Sequence, residues 1–424
     1  MSQPTSTRID GLVEVTLTEE SLPQILALDT WAFPSPVPAS DQLAWPWPLD
    51  PQRSRALAEP GSDTLAAMHG SYAYSTFPVP GATTAVAGLT AVGVHPQYRG
   101  RGLLRSMITT HFADCRARGE VASVLFASQP AIYGRFGYGL ASRTAAVTIK
   151  HHAALRPVAG SDAITVTFEE FDFDAHAAIV AGLHARAAGR NINTPGWATR
   201  ETPRLRAHFH ADPAELREGF EKWRIMVAFR EDDPVGYALF RRKFRWAEAG
   251  PEGPVELQEY AATDPAVVHA LWTRLLDLEL TSTVQAHWIG LDDPLLTLLV
   301  DPRAATPRII DNLWLRLIDA PEALRRRRYA AAVDLTIELT DDMLTSNAGR
   351  WRLRADPFSA NVEVTVSDTA EVSMDVRTLG SLYLGGFSAS ALASAGLIEG
   401  AAESVAALSS AFGWPRLPVC SWVF

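Results

Sequence analysis

The hydrophobic pattern of residues 1–150 predicts a unit in which strands and helices alternate. Short apolar runs bounded by turn residues predict strands at Val13–Leu17, Ser71–Thr76 and Thr83–Val94. Helical spacing predicts a helix from about Ser21 to Trp31, and Pro78-Val79-Pro80-Gly81 has the composition of a turn. We therefore predict a first domain over residues 1–150.

A strand, a basic glycine-rich loop, a helix and a second strand follow one another between residues 92 and 127. Val92-Gly93-Val94 ends a strand, because Pro96 cannot continue the ladder. The loop Arg99-Gly100-Arg101-Gly102 opens directly into a helix. The apolar face of that helix carries Leu104, Ile108, His111, Phe112 and Cys115. Val121–Ala127 is predicted as the second strand.

Residues 151–305 repeat this order of elements and are predicted to form a second domain. Strands are predicted at Ile225–Phe229, Val235–Phe244 and Val255–Ala261. A helix begins at Asp264-Pro265 and runs through Leu278. Thr263-Asp264-Pro265-Ala266 stands where the first domain has its basic glycine loop, so we expect no cofactor there.

The last region, residues 306–424, changes character and is predicted to be a third, α+β domain. Period-two alternation predicts antiparallel strands at Leu313–Ile318, Ala331–Leu339, Gly349–Ala355 and Val362–Val366. A short helix begins after Asp319 and ends in the run Arg325 to Arg328. We interpret that run as a solvated helix end. Glycine-interrupted, alanine-rich helices are predicted over Ser381–Phe412.

The helix start after the basic loop has the chemistry of an anion site. A helix N-terminus offers unpaired N–H groups and a partial positive charge. Gly100 and Gly102 let the backbone approach a ligand, while Arg99, Arg101 and Arg105 add charge. The sequence therefore predicts a pyrophosphate site. The alternative is a surface turn with ordinary arginines.

A second motif, Tyr133-Gly134-Arg135-Phe136-Gly137-Tyr138, follows the second strand. Its glycines and tyrosines are typical of a tight loop that carries a polar aromatic into a site. Together the two motifs resemble the GNAT acetyltransferases, whose pattern is Arg/Gln-x-x-Gly-x-Gly/Ala after a strand. Leu104 stands where that pattern has its last small residue.

The runs Arg-Gly-Leu-Leu-Arg and Ile-Tyr-Gly-Arg-Phe-Gly-Tyr-Gly are similar to one GNAT subfamily, the Eis (enhanced intracellular survival) acetyltransferases. This resemblance implies tandem GNAT-like domains, the second degenerate, and a sterol-carrier-protein-like α+β domain. It also implies a homohexamer. The predicted fold class is therefore α/β (α+β), with domains at 1–150, 151–305 and 306–424.

The resemblance further implies acetyl-CoA as co-substrate, without a metal. The expected cofactor-binding residues are Val92, Gly93, Val94, Arg99, Gly100, Arg101, Gly102, Leu103, Leu104, Arg105, Ser128 and Gln129. N–H groups near Val92 and Val94 would polarise the acetyl carbonyl. The resemblance implies Tyr133 as general acid, with Tyr138 as the rival. The phenol has a pKa of about 10 and the leaving thiol one of about 8.5, so the proton transfer to the thiolate costs roughly 2 kcal/mol.

The chain end is apolar, whereas chain termini are commonly polar and frayed. Trp422-Val423-Phe424 follows Pro415 and Pro418, which stiffen the approach. The residues alone leave two arrangements open: an edge strand with its carboxylate at the surface, or a buried tail whose carboxylate needs a partner or a function. The Eis resemblance implies the second, with the Phe424 carboxylate as general base in the first domain.

Composition bounds the substrate and the class of protein. A net charge of −10 makes nucleic acid a poor partner and favours a cationic amine. We expect Asp29, Trp31 and Phe33 to contribute to the substrate pocket, the alternatives being a solvated carboxylate and a hydrophobic loop over the sheet. The resemblance implies aminoglycosides as acceptors, modified at several amines, and lysine-bearing proteins or peptides as further ones.

Two alternative functions stay open from the sequence. One is a dedicated protein-lysine or polyamine acetyltransferase without drug activity, and the other is a non-catalytic acyl-CoA- or lipid-binding regulator. Cys115 and Cys420 give neither a disulfide framework nor a zinc motif. The first 20 residues lack a signal peptide, and no apolar run approaches a membrane span. The expectation is a cytoplasmic protein, with leaderless secretion the alternative.

Overall fold

The computed structural model describes residues 11–424. The start of the predicted first domain, and part of the stretch inspected for a signal peptide, lie outside the described residues. The first 140 residues contain helices α1 (Leu22–Ala32), α2 (Ala39–Gln42), α3 (Leu103–Ala117) and α4 (Pro130–Tyr133). Their strands are β1 (Val13–Val15), β2 (Ser54–Ala58), β3 (Leu65–Val79), β4 (Ala82–Val94), β5 (Ala122–Leu125) and β6 (Gly139–Leu140).

The middle of the chain follows the predicted strand and helix order. Its strands are β7 (Arg143–Lys150), β8 (Ile164–Glu170), β9 (Arg224–Arg230), β10 (Asp233–Arg242), β11 (Trp246–Ala247), β12 (Gly250–Pro251), β13 (Pro254–Ala262), β14 (Thr283–Gly290) and β15 (Arg308–Asp311). Its helices are α5 (Phe173–Ala187), α6 (Pro203–Phe209), α7 (Pro265–Leu276) and α8 (Pro294–Leu298). Helix α7 buries an apolar face against this sheet, as its 3.6-residue spacing predicts.

The last region contains a separate sheet and four helices. Its strands are β16 (Trp314–Leu317), β17 (Val333–Thr340), β18 (Gly349–Ala355), β19 (Val362–Val366), β20 (Val372–Asp375) and β21 (Glu399–Gly400). Its helices are α9 (Ala320–Arg326), α10 (Val376–Tyr383), α11 (Ala389–Ser394) and α12 (Ala402–Phe412). The third sheet has the order β19-β18-β17-β20-β21. This mixture of sheets and helices is the predicted α/β (α+β) class.

Each of the first two sheets contains a strand from outside the predicted range of its domain. The first sheet has the order β1-β2-β3-β4-β5-β16-β6, so β16 from the last region lies between β5 and β6. The second has the order β15-β7-β14-β13-β10-β9-β8, and it takes in β7 from before residue 151. The domain boundaries stay predictions, but the sheets are joined more closely than a linear division of the chain suggests.

One prediction about the last region is wrong. Arg327 is not solvated: its guanidinium is fully buried and donates to the carbonyl oxygens of Tyr383 at 2.7 Å and Phe412 at 3.0 Å. The interior accepts this cation because backbone carbonyls replace its water. Of the two arrangements left open for the chain end, the edge strand is not observed: the described residues after Phe412 form an irregular tail in which Trp422 is buried.

Candidate active site

A cleft opens in the first sheet where two parallel strands diverge. Strands β4 and β5 pair only as far as Gly88 opposite Val124, although β4 continues to Val94. The cleft has a volume of about 400 Å³. It is lined by Ala32, Phe33, Val92, Gly93, Val94, Tyr98, Arg99, Gly100, Gly102, Leu103, Leu104, Ser128, Gln129, Ile132 and Tyr133. Most of the predicted site residues therefore lie around one space.

A bulge in β4 accompanies this divergence. Pairing with β3 shifts register between Met68 and Gly70, so that β4 carries one extra residue there. Ala91 lies in the bulge with φ of 49°, a left-handed conformation that costs a residue with a Cβ about 1–2 kcal/mol. This bulge could not be predicted from the residues, because alanine is neither a turn residue nor a common left-handed one.

The helix start that follows is built for an anion. Gly102 is the N-cap of α3 with φ of 76°, and it has no side chain to accept from the first turn. The first N–H bonded within the helix is that of Ser106, which donates to the carbonyl of Gly102, so the N–H groups of Leu103, Leu104 and Arg105 have no acceptor in the helix. A Cβ at Gly100 or Gly102 would meet nothing within 4 Å, so the backbone there is open to a ligand.

The three predicted arginines take different positions around this loop. Arg99 lines the cleft, and the Arg101 guanidinium lies 5.5 Å from the centre of the Tyr98 ring. Arg105 is exposed on the first turn of α3. Arg101 and Arg105 are therefore beside the cleft rather than in its wall. Tyr98, buried and part of the wall, was not predicted from the sequence.

Tyr133 lies in the wall of the same cleft, at the end of α4. Its side chain is only 8% exposed, and burial raises the pKa of the phenol to about 12. A lowered pKa, which would ease proton donation, is therefore not what this environment provides. The segment predicted as a tight loop is helical instead: α4 ends at Tyr133, and a 3₁₀ turn follows over Gly134–Phe136.

Tyr138, the rival acid, is a packing residue. It is fully buried, its hydroxyl is 2.8 Å from Ser123 Oγ, and its ring contacts that of Tyr133 edge to face at 5.8 Å. Ser123 Oγ is in turn 2.8 Å from His111 Nε2. Because its hydroxyl is engaged behind the sheet, Tyr138 supports the position of Tyr133 and does not line the cleft.

The last residue reaches the point where β4 and β5 diverge. The ring centre of Phe424 lies 5.1 Å from that of Tyr74 and 5.2 Å from that of Phe126, which follows β5. A Cβ built on Gly88 would come within 2.5 Å of the Tyr74 ring and 3.1 Å of the Phe424 ring, so glycine leaves room for both rings. Phe424 is thus placed in the first sheet beside the start of the cleft.

A buried polar cluster fixes the tail that carries Phe424. Ser421 Oγ donates to Glu259 at 2.7 Å, and Glu259 also forms two hydrogen bonds with Arg200 at 2.8 and 3.0 Å. Burial alone would raise the pKa of the Glu259 carboxyl, but Arg200 and His184 hold it well below its usual range. This ion-paired cluster therefore holds the tail in place through hydrogen bonds that sequence analysis did not anticipate.

The three predicted substrate-pocket residues lie at the C-terminal end of α1 and just after it, in different environments. Phe33 lines the cleft, while Trp31 is 58% exposed and packs its ring edge to face against His95 at 5.2 Å. Asp29 is outside the cleft wall, and burial raises its pKa to about 6. Burial raises the pKa of Tyr72, and the nearby charge of Asp29 adds to that rise; the Tyr72 ring in turn contacts that of Phe424 at 6.2 Å. Asp29 therefore acts near the chain end.

Within residues 11–424 no helix is long and apolar enough to span a membrane. The same residues contain no group of three or more His, Cys, Asp or Glu side chains placed to hold a metal ion.

Comparison with known proteins assigns the two duplicated units and the last region to families. The acetyltransferase (GNAT) domain family matches residues 15–141, and a second acetyltransferase (GNAT) domain family matches residues 196–317. The sterol carrier protein domain family matches residues 320–421. These matches confirm the predicted fold of two GNAT-like domains followed by a sterol-carrier-like domain.

Relatives of known sequence and structure span nearly the whole chain. An uncharacterised N-acetyltransferase of Streptomyces coelicolor is 37% identical over 348 residues, covering 81% of this chain and 82% of that protein. N-acetyltransferase Eis of Mycobacterium bovis is 30% identical over 399 residues, covering 89% and 90%. The crystal structure of Eis1 from Mycobacterium abscessus matches with a TM-score of 0.79 at 29% identity, covering 97% of this chain and 100% of that one.

The relatives that span most of the chain are named N-acetyltransferases, in agreement with the glycine-rich helix start and the tyrosine in the cleft. The alternative of a non-catalytic regulator therefore does not hold. GNAT acetyltransferases use acetyl-CoA. The chain is an N-acetyltransferase that belongs to the Eis-type GNAT family.

Proposed function

We propose that the cleft transfers an acetyl group from acetyl-CoA to an amine of a cationic substrate by direct attack in a ternary complex. One observation carries this proposal: the basic glycine loop and Tyr133 line one cleft, and Phe424 packs where that cleft begins. These positions support a cofactor site, an acid and a base in one region of the first sheet.

The residues of the cleft fit acetyl-CoA. Gly100 and Gly102 leave open space above the backbone, and the uncapped N-terminus of α3 would bind the pyrophosphate with help from Arg99. Ser128 and Gln129 lie in the opposite wall. Among the described residues, no strand pairs with β4 beyond Gly88 on the side of β5, so N–H groups near Val92 and Val94 can bind the arm of the cofactor. When bound, the cofactor supplies the acetyl group as a thioester.

The carboxylate of Phe424 is the proposed general base. An alkyl ammonium has a pKa of about 10.4, so near pH 7 the acceptor needs to lose a proton before it can attack. A carboxylate held by a buried tail takes that proton without the entropy cost of ordering a mobile group. Asp29 adds negative charge near the same place, which favours a cationic acceptor.

Tyr133 is the proposed general acid for the leaving thiolate. With the phenol pKa at about 12 and a thiol pKa of about 8.5, the transfer is uphill by about 3.5 units, or roughly 5 kcal/mol. The true gap is smaller, because the same burial raises the pKa of a thiol in the cleft. A penalty of this size fits within the barrier of about 16 kcal/mol that corresponds to about 10 turnovers per second.

The acceptor class is proposed from charge and from the named Eis relatives. An aminoglycoside, a compact polycation, suits a protein of net charge −10. A protein lysine or a polyamine is the second candidate, since it offers the same ammonium chemistry. The homohexamer implied by the Eis resemblance stays a prediction.

A panel of amines tests this proposal through thiol release from acetyl-CoA. The panel contains an aminoglycoside, spermidine, a lysine peptide and an uncharged aromatic amine. We expect turnover with the aminoglycoside, more than one acetyl group per molecule by mass spectrometry, and none with the uncharged amine. Turnover confined to the peptide or spermidine would reject drug acetylation. If none of the cationic amines supported turnover, the proposal would be rejected.

A further inference from the structure

A second cleft lies in the second sheet at a place equivalent to the first. Strands β13 and β14 are parallel and pair only as far as Leu257 opposite Ala286, although β13 continues to Ala262. Pairing of β13 with β10 shifts register beside this point, between Leu239 and Phe240. The diverging strands and the start of α7 enclose about 390 Å³. The duplicated unit thus keeps a ligand-sized cleft.

The chemistry of the helix start in this cleft is reversed. Asp264 is the N-cap of α7, and its Oδ1 accepts from the N–H groups of Ala266 at 3.0 Å and Val267 at 3.2 Å. These are the groups that would bind a phosphate, and a carboxylate already occupies them. A pyrophosphate would meet a fixed negative charge there, so this cleft does not suit the cofactor of the first.

Further carboxylates and aromatic rings line the walls. Asp292 and Asp293 follow β14, and the indole rings of Trp197 and Trp288 also line the cleft. The Trp197 ring is fixed, because its N–H donates to the carbonyl of His184 at 2.9 Å and it stacks on that imidazole. Carboxylates beside aromatic faces are the surroundings that bind organic ammonium ions.

The polar partners of the other residues leave Asp292 as the most available carboxylate of the cleft. Asp264 pairs with Arg230 at 2.8 Å, and Asp293 accepts the Tyr260 hydroxyl at 2.5 Å. Arg416, the cation in the wall, donates to Thr194 at 3.1 Å. Among the described residues Asp292 accepts a single hydrogen bond, from the N–H of Leu417 at 2.7 Å, so it keeps most of its capacity to bind a donor.

We propose that the second cleft binds an aliphatic polyamine cation, with Asp292 as the ionic partner and Trp197 and Trp288 as the apolar walls. The amines of such a ligand donate to the carboxylates, and its methylene segments cover the indole faces. The proposal does not rest on the proposed function, because binding here needs no acetyl transfer. The tail segment Pro415–Val419 forms part of the wall, so a bound polyamine would also contact the tail that leads to Phe424.

Calorimetric titration of the full chain with spermidine, at physiological salt and without acetyl-CoA, tests the proposal. We expect Asp292→Asn, which keeps an acceptor for Leu417, to weaken one binding event at least fivefold. Asp292→Lys should abolish that event. Hydrogen exchange gives a second readout: spermidine should slow exchange of the Leu417 and Val419 amides in the wild type and not in Asp292→Lys.

Asp301→Asn is the matched control. Asp301 also accepts a backbone N–H, from Arg303 at 3.0 Å, and the substitution changes the net charge equally outside the cleft. It should leave binding unchanged. The proposal is overturned if Asp292→Lys binds spermidine like the wild type, if Asp301→Asn weakens binding as much as Asp292→Asn, or if the Leu417 and Val419 amides exchange at the same rate with and without spermidine.

Discussion

Two clefts of nearly equal size, about 400 and 390 Å³, lie at equivalent places in the first two sheets, yet their walls carry opposite charge. Each opens where a parallel strand pair diverges beside a change of register. In the first, Gly102 leaves the start of α3 uncapped; in the second, Asp264 caps the start of α7 with its own carboxylate. The backbone arrangement makes the space, and the residue at the helix start decides which charge can enter it.

This difference supports the assignment of the proposed acetyl transfer to the first cleft. Tyr133 lines the first cleft and Phe424 packs beside its start, whereas the second cleft has Asp292 and Asp293 in the corresponding wall. The tail connects the two clefts, since Pro415, Arg416 and Val419 line the second and Phe424 packs in the first sheet. The second unit therefore holds the tail segment that leads to Phe424, the proposed base.

The largest effect is expected for Tyr133→Phe, which removes the proposed general acid from the first cleft and leaves the second cleft unchanged. The substitution keeps the ring that packs on Tyr138 and removes only the hydroxyl. Turnover should fall by about 10²–10⁴ with acetyl-CoA affinity unchanged, because a general acid acts in the transition state. Single-turnover rates and equilibrium binding measure the two effects. A near-native rate would assign protonation of the thiolate to water, and Tyr138→Phe serves as the packing control.

Moving the terminal carboxylate should have the next largest effect. Deleting Phe424 withdraws the carboxylate by more than about 3 Å, and a short C-terminal extension converts it to an amide. A misplacement of about 1 Å can already cost about 100-fold in rate. Both variants should lose activity by at least about that factor and still bind acetyl-CoA. Full turnover in the extended protein, compared with an N-terminally tagged control, would make Asp29 the next candidate base.

Giving α3 an aspartate cap like that of α7 tests the role of the N-cap residue directly. Gly102→Asp places a carboxylate beside the pyrophosphate site, where open space surrounds the Cβ position. Repulsion at about 5 Å and an effective dielectric constant of about 20 amounts to about 3 kcal/mol, so acetyl-CoA binding should weaken roughly 100-fold. Gly102→Asn is the control: like Gly102→Asp it places a residue with a Cβ in the left-handed conformation, but it adds no charge. Equal losses in both variants would show that strain, not charge, is responsible.

The sequence predicted the first cleft far better than the second. Glycines and arginines at 99–102 are local signals of an anion site, and the strand and helix order around them was confirmed. In the second unit the sequence showed only that the basic glycine loop is missing at Asp264. Asp292 lies 28 residues further along the chain, and the fold alone places it in the same cleft. Similarly, Ala91, Arg327 and the insertion of β16 depend on contacts distant in sequence.

Removing the arginines of the first loop should have a smaller effect. A charge-assisted contact to phosphate contributes about 1.5–3 kcal/mol, so alanine at Arg99, Arg101 or Arg105 should weaken acetyl-CoA binding about tenfold or more for at least one of them. Arg99 is the strongest candidate, because it lines the cleft. Arg416→Ala, the matched change in the second cleft, should leave acetyl-CoA binding as it is. Unchanged binding in all three loop variants would reject the loop assignment.

The smallest effect is expected at the second helix start. Asp264→Ala removes the cap of α7 and should cost about 1 kcal/mol of stability. Burial raises the pKa of Asp264, but Arg230 and the capped N–H groups outweigh it and lower the pKa from its usual value. A lowered folded-state pKa means that the stabilisation is present above the unfolded pKa of about 3.9 and is lost as the pH falls through the folded value.

Urea unfolding at pH 7 and in acid, near the lowered pKa, measures this contribution. The difference between wild type and Asp264→Ala should shrink at the lower pH, whereas Asp264→Asn, whose amide oxygen can still accept, should lose only a few tenths of a kcal/mol at pH 7. Neither variant should bind a second acetyl-CoA, because removing one carboxylate supplies no glycine loop and leaves Asp292 in the wall. Two equivalents of acetyl-CoA per chain in Asp264→Ala would show that the cap alone had closed the second cleft to the cofactor.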